Sequence, residues 1–460
     1  MRDGIGRLVA VMAGAATLAA SLVMGAAPVV SAAGCSVTNP ATGVRFSTLK
    51  SAVDAAAPGH TLRIAGTCTG GLTIGKRITL TGTGTAPTLR GDGSRVVTIT
   101  AGPVTINGLR ITNGTATSCP EAVANACGGG IATSAKLVLA GSVVKGNLVS
   151  GANASGGGIA VLTGGSLVAS RSLIADNSVV ADGTSGTGKG GGIAALGPVT
   201  LRRTTVDGNQ ASGKLAIGGG IQGSAVVSLT DSVVTDNTAQ GDSQATGGGV
   251  AAAATGRITR STLARNLARA VNPTVSNAIG GGASIGEAAV ANSTISGNTA
   301  QALGLAVGGA SGGGLQLGDG SVIASTIAGN TALSGGGLFM GGAVEVGTTI
   351  IAGNAGTLGR DCAEVSGSSS AGRNLIGDGT GCNDIFVNGT NGDKVGTGAS
   401  PILAKLGPLA DNGGLTPTRA LKAGSPAIDA GGSSPCSTTT DQRGVKRPRG
   451  GRCDIGAFEK

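Results

Sequence analysis

Aliphatic residues recur through the middle of this chain in fixed columns set apart by small and polar positions. Each unit is registered by an asparagine: Asn147, Asn177, Asn209, Asn237, Asn266, Asn298, Asn330 and Asn354. Three residues earlier stand Val144, Ile174, Val206, Val234, Leu263, Ile295, Ile327 and Ile351. Eight residues earlier stand Leu139, Ala169, Leu201, Leu229, Ile258, Val290, Val322 and Val346. A third column follows a glycine triplet as Ile131, Ile159, Ile193, Ile221, Val250, Ala283, Leu315 and Leu338. Three columns predict three short strands per coil. Coils stacked about 4.8 Å apart superpose like side chains and fill a tube with aliphatic carbon. The expected fold is therefore all-β, a single-stranded parallel β-helix or β-solenoid.

The alternation of strand side chains also turns Ser142, Ser172, Thr204, Ser232, Ser261, Ser293, Ser325 and Thr349 inward, two residues before an inward aliphatic. Such hydroxyls must be satisfied by one another or by turn backbone. The asparagines can form an amide ladder and tolerate left-handed backbone. Both columns thus read as repetitive turn chemistry rather than as active-site groups. The triplets, starting at Gly128, Gly156, Gly190, Gly218, Gly247, Gly280, Gly312 and Gly335, read as tight corners. They do not match a phosphate cradle, since no helix or Lys-Ser/Thr pair follows them.

Residues 46–57, with Leu49 and Val53 at helical spacing before Pro58, predict a helix capping the open end of the tube. Strands are expected at 61–64, 72–74, 77–81, 96–100, 104–106 and 109–112. The regular spacing fails after Asn354. The chain divides into a leader at 1–33, an N-terminal cap with first coils at 34–127, eight repeats at 128–354 and a C-terminal cap at 355–460. From each Asn to the next triplet the spacing runs 9, 13, 9, 10, 14, 14 and 5 residues. The variation is confined to one side of the coil, which is where solenoids carry partner contacts. Segments 178–189 and 267–279 are the expected contact loops.

Composition narrows the function. There are 89 Gly, four Phe, one His and no Trp or Tyr in 460 residues. The chain has almost no aromatics on which to stack sugar rings, and His60, just before a predicted strand, reads as a turn residue rather than a base. The leader joins Arg2 and Arg7 to an apolar run at 8–23 and small residues at 31–33, a secretory pattern. Residues 32–35 also resemble a weak lipobox, which would acylate Cys35. That would leave an odd number of cysteines. Four disulfides, paired by proximity as Cys35 with Cys68, Cys119 with Cys127, Cys362 with Cys382, and Cys436 with Cys453, are the simpler expectation.

Without the leader, 31 basic residues face 22 acidic ones, an excess suited to acidic extracellular polymers. Lys446, Arg447, Arg449 and Arg452 form the densest basic run and are the candidate polyanion-binding residues. Nucleic acid is not expected outside the cell without stacking side chains. The acids Asp411, Asp429, Asp441 and Asp454 read as turn caps and an Arg443 partner in preference to calcium ligands, so no cofactor is expected. One constellation admits catalysis. Outward positions carry Arg171, Arg203, Asp231 and Arg260, with Asp176, Asp207 and Asp236 near the Asn corner, a spacing open to a polysaccharide lyase or hydrolase. A solvated face of surface ion pairs is the plainer reading.

The pairing of Gly-Gly-Gly-aliphatic with Ile/Val-x-x-Asn over 128–354 resembles the repeats of polymorphic outer-membrane proteins and, more widely, pectin-lyase-like right-handed β-helices. Gly stands where those repeats carry a third-position Ala, and aliphatics replace their Phe. The C-terminal runs 407–414, 416–418, 424–431, 441–444 and 453–459 resemble a choice-of-anchor Q domain. That likeness implies a secreted bacterial surface protein. Taken together, the expectation is a monomeric, non-catalytic surface or adhesion scaffold contacting acidic glycans, without a membrane span in the mature chain. The alternative is a polysaccharide lyase or glycoside hydrolase.

Overall fold

A computed structural model describes residues 34–121, 124–183, 185–304, 307–365, 367–382 and 384–460. The predicted leader at 1–33 lies outside the described residues. The chain is a β-solenoid of about 10 turns. Among the described residues its strands form parallel-stacked sheets of 22, 13 and 12 members and a separate two-stranded ribbon.

The aliphatic columns superpose coil on coil. Ile131 pairs with Ile159, which pairs with Ile193 and then Ile221, while Val144 heads an equivalent series through Ile174, Val206 and Val234. Every residue of the three columns is at most 1% exposed. Two of the columns, however, share the first sheet, as in strands Ile131–Thr133 and Lys136–Ala140, and the second sheet holds the column three residues before each Asn, as in Val143–Lys145.

The third sheet is built from the segments expected to be loops. Ser178–Ala181 and Thr187–Lys189 are strands, as are Leu267–Ala270 and Val275–Ile279, so only short turns within 178–189 and 267–279 remain irregular. Between Thr115 and Ser311 each coil sends an outgoing and a returning run into this sheet, which forms a thin fin beside the tube. Its filling is Val149, Val179 and Ala211 against Ala154, and Ala239, Ala268 and Ala300 against Ala245, Ala278 and Ala310. These clusters are separate from the large aliphatic core of the tube.

The glycine triplet is the neck between fin and tube. A Cβ on Gly157 would lie 2.6 Å from the Ser178 carbonyl oxygen, and one on Gly158 would lie 2.9 Å from Asn177 Cγ. No other residue permits that crossing. On the far side of the neck the buried asparagines form a continuous ladder. Asn177 Nδ2 donates to Asn209 Oδ1 at 2.9 Å and to the Val144 carbonyl at 3.0 Å, and the pattern repeats through Asn330 to Asn354. The serine column is satisfied by backbone rather than by stacked hydroxyls. Ser232 Oγ accepts from Thr204 N at 3.2 Å and donates to the Thr230 carbonyl at 2.9 Å.

The regular stacking runs past Asn354. Cys362–Glu364 pairs with Leu338–Met340, and Leu375–Ile376 with Ile350–Ile351, so the boundary expected at 355 falls inside a coil. The signal was hidden because Gly359-Arg360-Asp361 replaces a triplet. Asp361 Oδ1 accepts from Asn354 Nδ2 at 2.9 Å and ends the ladder.

At the opposite end, helix Leu49–Ala55 is shorter than expected; Thr48 caps it, and Leu49, Ala52 and Val53 are buried. Arg45–Phe46 is instead extended and pairs with Ser36–Thr38. His60 accompanies Asn39, whose Nδ2 lies 3.0 Å from its Nδ1. The four disulfides join the expected cysteines. Cys35 is therefore committed to Cys68.

Candidate functional site

Between the first and second sheets every coil turns through one residue in the left-handed region. Gly108 and Gly141 fill that corner in early coils, with φ of 61° and 54°, and Arg171, Arg203, Asp231 and Arg260 follow at 47° to 51°. A side chain there costs roughly 1–2 kcal/mol that glycine avoids. Arg202, the last residue of strand Val199–Arg202, stands beside them, in register with Ser170 and Thr230. Ser170 and Thr230 complete a cleft of about 290 Å³ with these charged groups.

Arg260 is held across one coil by a two-point ion pair, Nε to Asp231 Oδ1 at 2.7 Å and Nη2 to Oδ2 at 3.1 Å. Donating to the Asp231 carboxylate raises the Arg260 pKa further. Arg171, Arg202 and Arg203 are exposed and have no ion-pair partner among the described residues. Four guanidiniums and one carboxylate leave the cleft an excess of three positive charges. Arg202 is the member that sequence reasoning missed, because adjacent arginines reveal no shared face until the corner geometry is fixed.

The aspartates line the other edge of the second sheet, at the Asn corner. Asp176 pairs with Lys145 at 2.8 Å, and Asp236 with Arg265 at 2.6 Å. Asp207 ends strand Thr205–Asp207 between them. Burial, then the carboxylates of Asp236 and Asp176, push Asp207 above the usual range. Burial also draws Asp236 upward, but hydrogen bonds from Arg265 and Thr235 hold it below its ordinary value. The structure thus brings the three aspartates together. It leaves Arg203 at the opposite corner, beyond the other end of strand Thr205–Asp207 from Asp207. Among the described residues no three acidic, His or Cys side chains converge on a metal position.

The basic run near the C-terminus divides. Lys446, Arg449 and Arg452 are exposed, whereas Arg447 is buried. Its guanidinium donates to the Asp454 and Gly456 carbonyls and pairs with Glu459 at 3.3 Å. Burial lowers its pKa against the opposing pull of Glu459. Arg447 therefore holds the cap together and is withdrawn from polyanion contact, because its hydrogen bonds are spent on internal carbonyls. Asp441 pairs with Arg443 at 2.8 Å, and Asp411 and Asp454 accept backbone N–H groups.

No helix among the described residues is long and apolar enough to cross a membrane. In comparisons with known proteins, no family model, no curated protein and no solved structure matches the chain.

Proposed function

We propose that this protein is an extracellular, non-catalytic β-solenoid that holds an acidic glycan along the corner between its first and second sheets, as a rigid surface or adhesion module. The arginine cleft carries this reading. Arginine occupies a left-handed corner where glycine is cheaper, and three of the guanidiniums are left uncommitted. Guanidinium forks match carboxylate and sulfate groups, and coils about 4.8 Å apart present them in a row. Four disulfides, the secretory pattern at 1–33 and the choice-of-anchor Q-like motifs support placement at a bacterial surface. The likeness to pectin-lyase-like helices belongs to the same proposal.

A second reading, a carbohydrate-active enzyme using Asp176, Asp207 and Asp236 with Arg203, is favoured by one observation. Neighbouring carboxylates with pKa values moved in opposite directions are the pattern of an acid–base pair. Polygalacturonate, alginate and chondroitin sulfate, each with and without calcium, separate the two. Retention without new reducing ends, lost in the combined Arg171→Ala, Arg202→Ala and Arg203→Ala variant, supports the scaffold. New reducing ends or unsaturated uronides would overturn it.

A further inference from the structure

A second cleft, of about 510 Å³, lies in the angle where the returning run of the fin meets the outer face of the first sheet. It falls within the size range of small-molecule sites. Its floor is shallow-sided because Ala160 and Ala194 stand where longer outward side chains would fill the angle. Leu162 and Leu196 give it an apolar wall. Asn153, Thr187, Gln222 and Ser224 contribute amides and hydroxyls, each able both to donate and to accept. Lys189 is the single cation of the lining, and no carboxylate lines it among the described residues.

One end of the cleft is prebuilt. Ala124 and Asn125 line it beside the Cys119–Cys127 disulfide, and Glu121 accepts from Ser134 Oγ at 2.6 Å and from Thr163 N at 3.2 Å. The strands beside the cleft, Asn153–Ser155, Thr187–Lys189, Ile159–Val161 and Ile193–Ala195, are each paired within their own sheets. They offer no free backbone edge to an extended peptide. Recognition must come from side-chain amides and hydroxyls over a small apolar floor, which is the complement of a polyol.

We propose that this cleft is a second binding site, for a short neutral oligosaccharide held through its hydroxyl groups. It is independent of the arginine cleft in position and in charge. With no aromatic to stack on, the affinity is low, with Kd on the order of 1 mM.

The test is saturation-transfer NMR on the intact, oxidised protein with cellotriose, maltotriose, mannotriose and chitotriose as probes. At least one trimer receives saturation, loses it when Ala194→Phe fills the floor, and binds several-fold more weakly to Gln222→Ala. Arg203→Ala leaves that signal unchanged, whereas it weakens polygalacturonate retention, so the two sites fail separately. Gln222 is a half-exposed surface residue, so its variant reports on binding even where the phenylalanine variant unfolds. The proposal is overturned if no trimer receives saturation at about 10 mM, if transfer persists undiminished in Gln222→Ala and a folded Ala194→Phe, or if an alanine-serine tetrapeptide binds in place of the sugars.

Discussion

At Arg203 two energies oppose each other. Its left-handed φ of 50° costs roughly 1–2 kcal/mol. Replacing it with glycine recovers that strain but returns about 0.4–1 kcal/mol of chain entropy to the unfolded state. Arg203→Gly is therefore expected to raise stability by about 0.5 kcal/mol while reducing polygalacturonate retention, read by urea midpoint and affinity electrophoresis. Gain and loss together mark a residue retained for contact rather than folding.

Asp361 makes a different prediction. Burial pushes its carboxyl above the ordinary value of 3.8, against hydrogen bonds from Asn354 and Asp378 N–H. A folded pKa above the unfolded one stabilises below the unfolded value and is lost as pH rises through the folded value. Asp361→Asn keeps an acceptor for Asn354 but turns an amide N–H toward Asp378 N, which now donates to Oδ2 at 2.7 Å. The wild type is thus expected to be the more stable protein at low pH, with its advantage shrinking as pH rises. Urea midpoints of both proteins across acidic to neutral pH measure this; a constant difference would refute the burial account.

At the scale of elements, the tube and the fin obey the same stacking rule with different side chains. The tube was legible because Val, Ile and Leu repeat at fixed distances from each asparagine, so period and burial agree. The fin was not. Its interior column reads Val149, Val179, Ala211, Ala239, Ala268 and Ala300, and alanine between Thr, Gln, Ser and Gly gives almost no contrast between faces. The spacing variation that suggested loops reflects different lengths of turn at the fin's edge. The candidate site was half legible: Arg171, Arg203, Asp231 and Arg260 share a sequence column, but which charges remain free depends on ion pairs across coils. The ladder between tube and fin is the element most exposed to a single change. Asn237 Oδ1 accepts from both Asn209 N at 3.0 Å and Asn209 Nδ2 at 2.9 Å. Asn237→Ala strands Asn209 N in a dry interior, whereas Asn209 Nδ2 keeps the Ile174 and Asp207 carbonyls. A loss of about 1–3 kcal/mol in chemical denaturation is expected, larger than for Arg203→Ala at the solvated corner.

Across the whole molecule, each coil is stabilised by its two neighbours, so the ends are the weak points. All four disulfides lie outside 128–354, where a coil has incomplete support. The C-terminal segment does more than plug the end. It returns along the outside of the second sheet, where Thr262, Thr294, Thr326, Ile350 and Leu375 are buried, while Val143, Leu173, Thr205 and Val233 of earlier coils are only half covered. Gln442 is the pin of this strap. Its Nε2 donates to Thr262 Oγ1 and Thr416 Oγ1, both at 2.9 Å, and its Oε1 accepts from Thr294 Oγ1 at 2.6 Å. Gln442→Ala leaves Thr294 Oγ1 without its acceptor and removes a donor from Thr262 and Thr416 under the strap. Native-state hydrogen exchange is expected to show faster opening of 412–460 and of strands Thr262–Ala264 and Thr294–Ser296. Strands Val143–Lys145 and Leu173–Ala175, which the strap does not reach, keep their wild-type rates. Uniform acceleration over all coils would mean that the solenoid unfolds as a single unit, and the strap would then be part of its core rather than a separable cover.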